Sequence, residues 1–147
     1  MKTLYTSYYA RSGKRPGAIS ISAKAPFFYK GDATLTLAPS WELLRAYKEG
    51  KIDAYGYTEW FGRLLKERNL TPRTVIDNLK EGATMLCYEK VGDFCHRHIV
   101  AVWLNQSGLA QVYELQKDGT PMDTPTSVED LIVLLDVDTK EKTTDNN

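Results

Sequence analysis

Met85-Leu86-Cys87-Tyr88-Glu89-Lys90-Val91-Gly92-Asp93-Phe94-Cys95-His96-Arg97-His98-Ile99-Val100 reads as a single handover from strand to helix. Thr84 to Tyr88 is nearly all apolar, the pattern of a central strand covered on both faces. Gly92-Asp93 makes a turn, and the residues after it predict a helix over residues 94–104 capped by Asp93. A buried strand that feeds directly into a helix is the unit of a parallel sheet, because a parallel neighbour needs a crossover to bring the chain back. The stretch therefore indicates the α/β class.

Working outward, Gln111-Val112-Tyr113-Glu114-Leu115 alternates and predicts a late strand, with a turn at Lys117-Asp118-Gly119-Thr120. Ser127-Val128-Glu129-Asp130 predicts a last short helix ending near Leu135, and residues 139–147 form a polar, frayed tail. Toward the start, Leu4 to Tyr9 predicts an opening strand, broken by Arg11-Ser12-Gly13-Lys14-Arg15-Pro16-Gly17, and Ala18-Ile19-Ser20-Ile21-Ser22 a half-buried second one. Ser40 caps a helix from Trp41 to Lys48 that stops at Gly50. Tyr57, Trp60, Phe61, Leu64 and Leu65 recur at helical spacing, which predicts an amphipathic helix from Asp53 to Arg68 whose stripe is core. Thr71-Pro72 opens another helix, with proline at the first helical position and Val75, Ile76 and Leu79 on its apolar face.

This alternation predicts a single α/β domain over residues 1–138, a three-layer sandwich of Rossmann-like kind with a mostly parallel sheet flanked by helices. Ligands on such sheets bind at the carboxyl ends of the strands, so the loops after Tyr9 and Tyr88 are the expected edge of a site.

The 147 residues carry 19 Lys plus Arg against 19 Asp plus Glu. A formal charge of zero argues against a protein built mainly to hold duplex DNA. The opening Met1-Lys2-Thr3-Leu4-Tyr5 lacks the apolar core of a signal peptide, and no apolar run reaches membrane-spanning length. The expectation is a cytoplasmic protein with no membrane partner. Cys87 and Cys95 could pair, but nothing points to an oxidising compartment, so they are expected as thiols.

Tyr5-Thr6-Ser7-Tyr8-Tyr9-Ala10, Ile19-Ser20-Ile21-Ser22, Ala38-Pro39-Ser40-Trp41-Glu42-Leu43-Leu44, Leu86-Cys87-Tyr88-Glu89 and Phe94-Cys95-His96-Arg97-His98 together resemble the domain-of-unknown-function 488 family. The similarity runs in order from Tyr5 to Leu104, and Leu-Cys-x-Glu followed by Cys-His-Arg at a helix onset is its specific part. The resemblance implies a compact α/β fold with that motif at the sheet edge, and carries Cys87, Glu89, Cys95, His96 and Arg97 over as motif positions. It implies no particular reaction.

The first helical turn leaves backbone N–H groups without intrahelical acceptors, and such a turn attracts anions and favours a thiolate. With Cys95, His96 and Arg97 there, the expected ligand is an anionic, nucleotide-like small molecule. Ser7, Tyr8, Arg11 and Lys14 are expected to contribute from the first loop, and one tyrosine from Tyr5 to Tyr9 to stack on a base. His96 and Glu89 are the candidate catalytic pair, should the ligand be hydrolysed at a phosphoester or N-glycosidic bond and not merely sequestered. Cys95 as a nucleophile is disfavoured: Arg97 follows too soon for a phosphatase-type loop, and a small buried thiol is the simpler role.

No metal or other cofactor is expected. The Cys-His spacing matches no standard zinc site, adjacent ligands on a helix diverge by ~100°, and Arg97 sits among them. Two alternatives stay open. One is a DNA-associated module whose basic loop contacts phosphate. The other is a structural or partner-binding protein, homo-oligomers included, in which Cys-His-Arg locks the strand–helix junction.

Overall fold

The computed structural model describes residues 1–89 and 94–125. Its centre is a six-stranded sheet. Strand β1 (Lys2–Tyr8) is followed by a single helical turn, α1 (Tyr9–Ser12), then β2 (Ala18–Ser20), the two-residue β3 (Asp32–Ala33) and a 3₁₀ turn at Leu35–Leu37. Helices α2 (Trp41–Lys48), α3 (Ala54–Glu67) and α4 (Pro72–Asp77) precede β4 (Thr84–Cys87). Helix α5 (His96–Gln106), β5 (Ala110–Leu115) and the short β6 (Pro121–Met122) complete the described chain. The order across the sheet is β3-β2-β4-β1-β5-β6, parallel throughout except for the β5–β6 hairpin.

Side chains alternate between faces along a strand, and the register sorts them cleanly. Leu4, Met85, Val112 and Ile19 share one face, where they meet Leu43, Phe61, Val75, Ile99 and Trp103 of α2 to α5 in the main core. The opposite face carries Leu86 and Ala18, packed under Tyr9 of α1 and Tyr29 of the following loop. Helices on one side and α1 with its loop on the other make the three layers that the sequence pattern indicates.

Local chemistry explains the helix starts. Ser40 Oγ accepts from Leu43 N–H at 3.2 Å, and Asp53 Oδ1 accepts from Gly56 N–H at 2.9 Å. Thr71 and Thr74 satisfy each other's backbone reciprocally as a capping box, with Pro72 at the first position.

The helix after the central strand departs from expectation. It starts at His96, not Phe94, and its N-cap is Cys95, with extended backbone at φ −153°, ψ 143°. Phe94 packs its ring against Tyr47 and Tyr57, and Cys95 is drawn to Cys87, so both residues are held out of the helix. The expected Asp93 cap, the expected helix at 127–135 and the tail at 139–147 lie outside the described residues. The second strand stops at Ser20, two residues early, and the very short β3 was not anticipated. Among the described residues no helix is long and apolar enough to cross a membrane.

Candidate functional site

The carboxyl ends of β2 and β4 open onto a cavity of about 270 Å3. Its inner wall is Cys87, the last residue of β4, together with His96 at the first position of α5. Tyr88 and Glu89 come from the loop after β4, and Ser22 and Lys24 from the loop after β2. Trp41, at the start of α2, stands at the outer side with more than half of its surface exposed, as does Tyr88. No side chain among the described residues caps α5, and its first turn carries no acidic residue. The N–H groups of that turn therefore begin beside the cavity without an acceptor from any described side chain.

Arg97 corrects the expectation that its guanidinium holds a ligand's phosphate. The side chain is completely buried. Nε donates to Glu114 Oε1 at 3.1 Å and Nη2 to Glu114 Oε2 at 2.7 Å, a bidentate fork. Nη1 donates to the Glu89 carbonyl at 2.6 Å and to Cys87 Sγ at 3.2 Å. Thr6, the register partner of Glu114, adds a hydrogen bond to Oε1 at 2.7 Å. Burial pushes the Glu114 carboxyl up, but hydrogen bonds from His98, Arg97 and Thr6 and the Arg97 charge outweigh it, holding it at about 2. Arg97 and Glu114 are thus an internal ion pair that ties α5 to the sheet and to the loop after β4. Geometry qualifies the His98 contact: its Nε2 lies 3.4 Å from Glu114 Oε2 without an aligned hydrogen bond.

His96 is also buried, its ring edge-on to Phe61. Nε2 lies 2.7 Å from the Ile21 carbonyl oxygen. A carbonyl only accepts, so Nε2 carries the proton and Nδ1 is the basic nitrogen. Burial lowers the imidazole to about 4 despite that hydrogen bond, and Arg97 and His98 push the same way. A neutral imidazole at neutral pH is a poor general acid, so His96 as a member of the candidate catalytic pair could not serve in that role.

The two cysteines, expected as separate thiols, are instead joined to each other as a disulfide, because the end of β4 and the residue before α5 bring their side chains together. Cys87 Sγ also sits 3.6 Å from Glu89 Oε2. Cys87, Cys95 and His96 place their potential ligand atoms within 4.8 Å of one another, all buried.

The first loop does not join this cavity. Ser7 is fully buried and hydrogen-bonded to Ser12 at 2.7 Å, so it lines nothing, and Tyr8 is half-buried beside Cys87 in the register. Arg11 and Lys14 line a separate cleft of about 580 Å3 with Lys30 and the exposed Phe28. Tyr9 divides the two cavities: its ring packs between Tyr29 and Tyr88, and its hydroxyl bonds to Ser20 and Ser22.

Sequence reasoning missed Glu114, Trp41 and Lys24. An acid on the face that it shares with Val112, the apolar side of the alternating strand, was the available signal for Glu114. Trp41 and Lys24 reach the cavity only through tertiary placement.

A family model described as "Active DUF488-N3 subclade" (DUF488-N3a) matches residues 30–108, more than half of the chain. The matched range contains the Leu-Cys-x-Glu and Cys-His-Arg segments, whereas Tyr5–Ala10 and Ile19–Ser22 precede it. No curated protein and no solved structure matches the chain.

Proposed function

The chain belongs to the DUF488-N3 family, and from that membership and the geometry we propose that it binds an anionic, nucleotide-like small molecule in the cavity beside Cys87 and His96. The observation that carries this reading is the pairing of two exposed aromatic rings, Trp41 and Tyr88, with a helix start that no described side chain caps. Flat rings on an open wall suit a base, at about 1–3 kcal/mol per stacked base. The N–H groups opening α5 and the Lys24 ammonium suit a phosphate. The position at the carboxyl edge of a parallel sheet is where ligands of this class bind.

Arg97 serves this site by bracing it, not by touching the ligand. Hydrolysis of a phosphoester or N-glycosidic bond would fall to Glu89, an exposed carboxylate on the cavity wall able to act as general base. Native mass spectrometry of the purified chain with and without a nucleotide panel tests the binding claim and reports subunit number. A bound nucleotide that Trp41→Ala abolishes supports it. A folded chain that ignores every nucleotide refutes it.

A second reading has one observation in its favour. The cleft holding Arg11, Lys14 and Lys30 beside exposed Phe28 has the cations and the aromatic ring of a single-stranded nucleic-acid groove. It predicts affinity that falls steeply with salt, while the Trp41 cavity predicts a shallow dependence.

A further inference from the structure

We propose that Cys87, Cys95 and His96 form a three-ligand zinc site whose fourth position opens onto the cavity. Their potential ligand atoms lie within 4.8 Å of one another, with the two sulfurs bonded to each other in this oxidised form, and in the reduced chain a tetrahedral zinc with Zn–S of ~2.3 Å and Zn–N of ~2.0 Å would space these ligands by roughly 3.5–3.8 Å. Two thiolates, one imidazole and an open position is a donor set that zinc favours.

The sequence-based objections to a metal dissolve in the structure. Divergence of adjacent ligands holds only if both residues are helical, and Cys95 is an extended N-cap, so its side chain and that of His96 turn to the same place. Arg97 repels a cation only if its charge is free. The bidentate bond to Glu114 cancels it, and what Arg97 offers Cys87 is an N–H donor at 3.2 Å, suited to a metal-bound thiolate. Metal-binding histidines usually donate their other ring N–H to a carboxylate or carbonyl. His96 already does this to Ile21 at 2.7 Å, which leaves Nδ1 as the ligand.

The frame around the two sulfurs has room. The Cα atoms of Cys87 and Cys95 are 7.4 Å apart, wider than the ~4.4–6.8 Å common between bridged cysteines. A dithiol reductant must first cleave the Cys87–Cys95 disulfide, supplying two electrons and two protons and leaving as its own disulfide; zinc would then hold the two sulfurs apart across that span, each new thiol giving its proton to solvent. Glu89 lies outside the three-ligand set and stays on the wall of the open position. The proposal is independent of the nucleotide reading, since it is tested with zinc alone.

The full chain is purified reduced, loaded with zinc, desalted, and examined by native mass spectrometry and elemental analysis in the absence of nucleotide. The expected result is one zinc per chain, replaceable by cobalt with a thiolate-to-cobalt charge-transfer band. Cys95→Ser is the informative variant, because serine is a good N-cap. It should keep the helix while zinc affinity falls by more than about tenfold. His96→Ala should lower affinity likewise, and Glu89→Gln should leave zinc in place. A folded, reduced wild-type chain with both thiols open to alkylation and no zinc overturns the proposal. A chain two hydrogens lighter that takes no zinc overturns it equally.

Discussion

Arg97 and Glu114 set the character of the site at the level of single residues. Two charges brought wholly out of water are tolerated because every nitrogen of the guanidinium has an acceptor and both carboxylate oxygens have donors. Removing one partner leaves the other buried and unpaired. Arg97→Ala and Glu114→Ala should each cost about 3–5 kcal/mol, measured by urea denaturation. Arg97→Lys should rescue little, since one ammonium cannot serve two carboxylate oxygens, a carbonyl and a sulfur together. Stability unchanged in Glu114→Ala would show that the pair is not the brace described. Trp41 is the opposite case: an exposed ring with no structural duty predicts that Trp41→Ala leaves stability within about 0.5 kcal/mol while weakening ligand binding.

At the level of elements, what was legible in the sequence follows from how local each determinant is. Ser40, Asp53 and Thr71 cap their helices within three residues of themselves, so α2 and α3 were read with nearly correct ends and α4 with its correct start, although Leu79, expected on its apolar face, lies beyond its end at Asp77. Ser40→Ala should accordingly destabilise the chain by about 1 kcal/mol, readable as a shift in the denaturation midpoint without change of slope. The start of α5 was misplaced because its determinants are distant. Phe94 is held by rings from α2 and α3, and Cys95 by a sulfur at the end of β4. The same distance hid the partner of Arg97, which lies seventeen residues along, on strand β5. The motif was visible as residue types, but its division into a bracing guanidinium and a cavity-facing imidazole was not. Arg11 and Lys14 were assigned to the same ligand because the order of strands could not reveal the Tyr9 wall between the two cavities.

The sheet as a whole joins these parts, and its response to acid reports on the join. Glu114 titrates near 2 when folded, against 4.5 for an ordinary glutamate, so the unfolded chain binds the extra proton between those values. Its contribution to stability is therefore complete above about 4.5 and is lost as pH falls toward 2. Denaturation of the metal-free chain across that range should show stability declining with acid, and Glu114→Gln should flatten that limb. A variant with an unchanged acid limb would place the loss elsewhere. The three-layer arrangement also explains why β4 and its neighbour β2 deliver the site: the carboxyl end of β4 meets the start of α5 on one side and Tyr9 on the other.

The most direct test of the account is calorimetric titration of the reduced full chain with a panel of nucleoside phosphates at two salt concentrations. Saturable binding of one nucleotide per chain with a shallow salt dependence is expected, lost in Trp41→Ala and retained in Arg11→Ala. Binding that survives Trp41→Ala, or a folded chain that binds none of the panel, would contradict it.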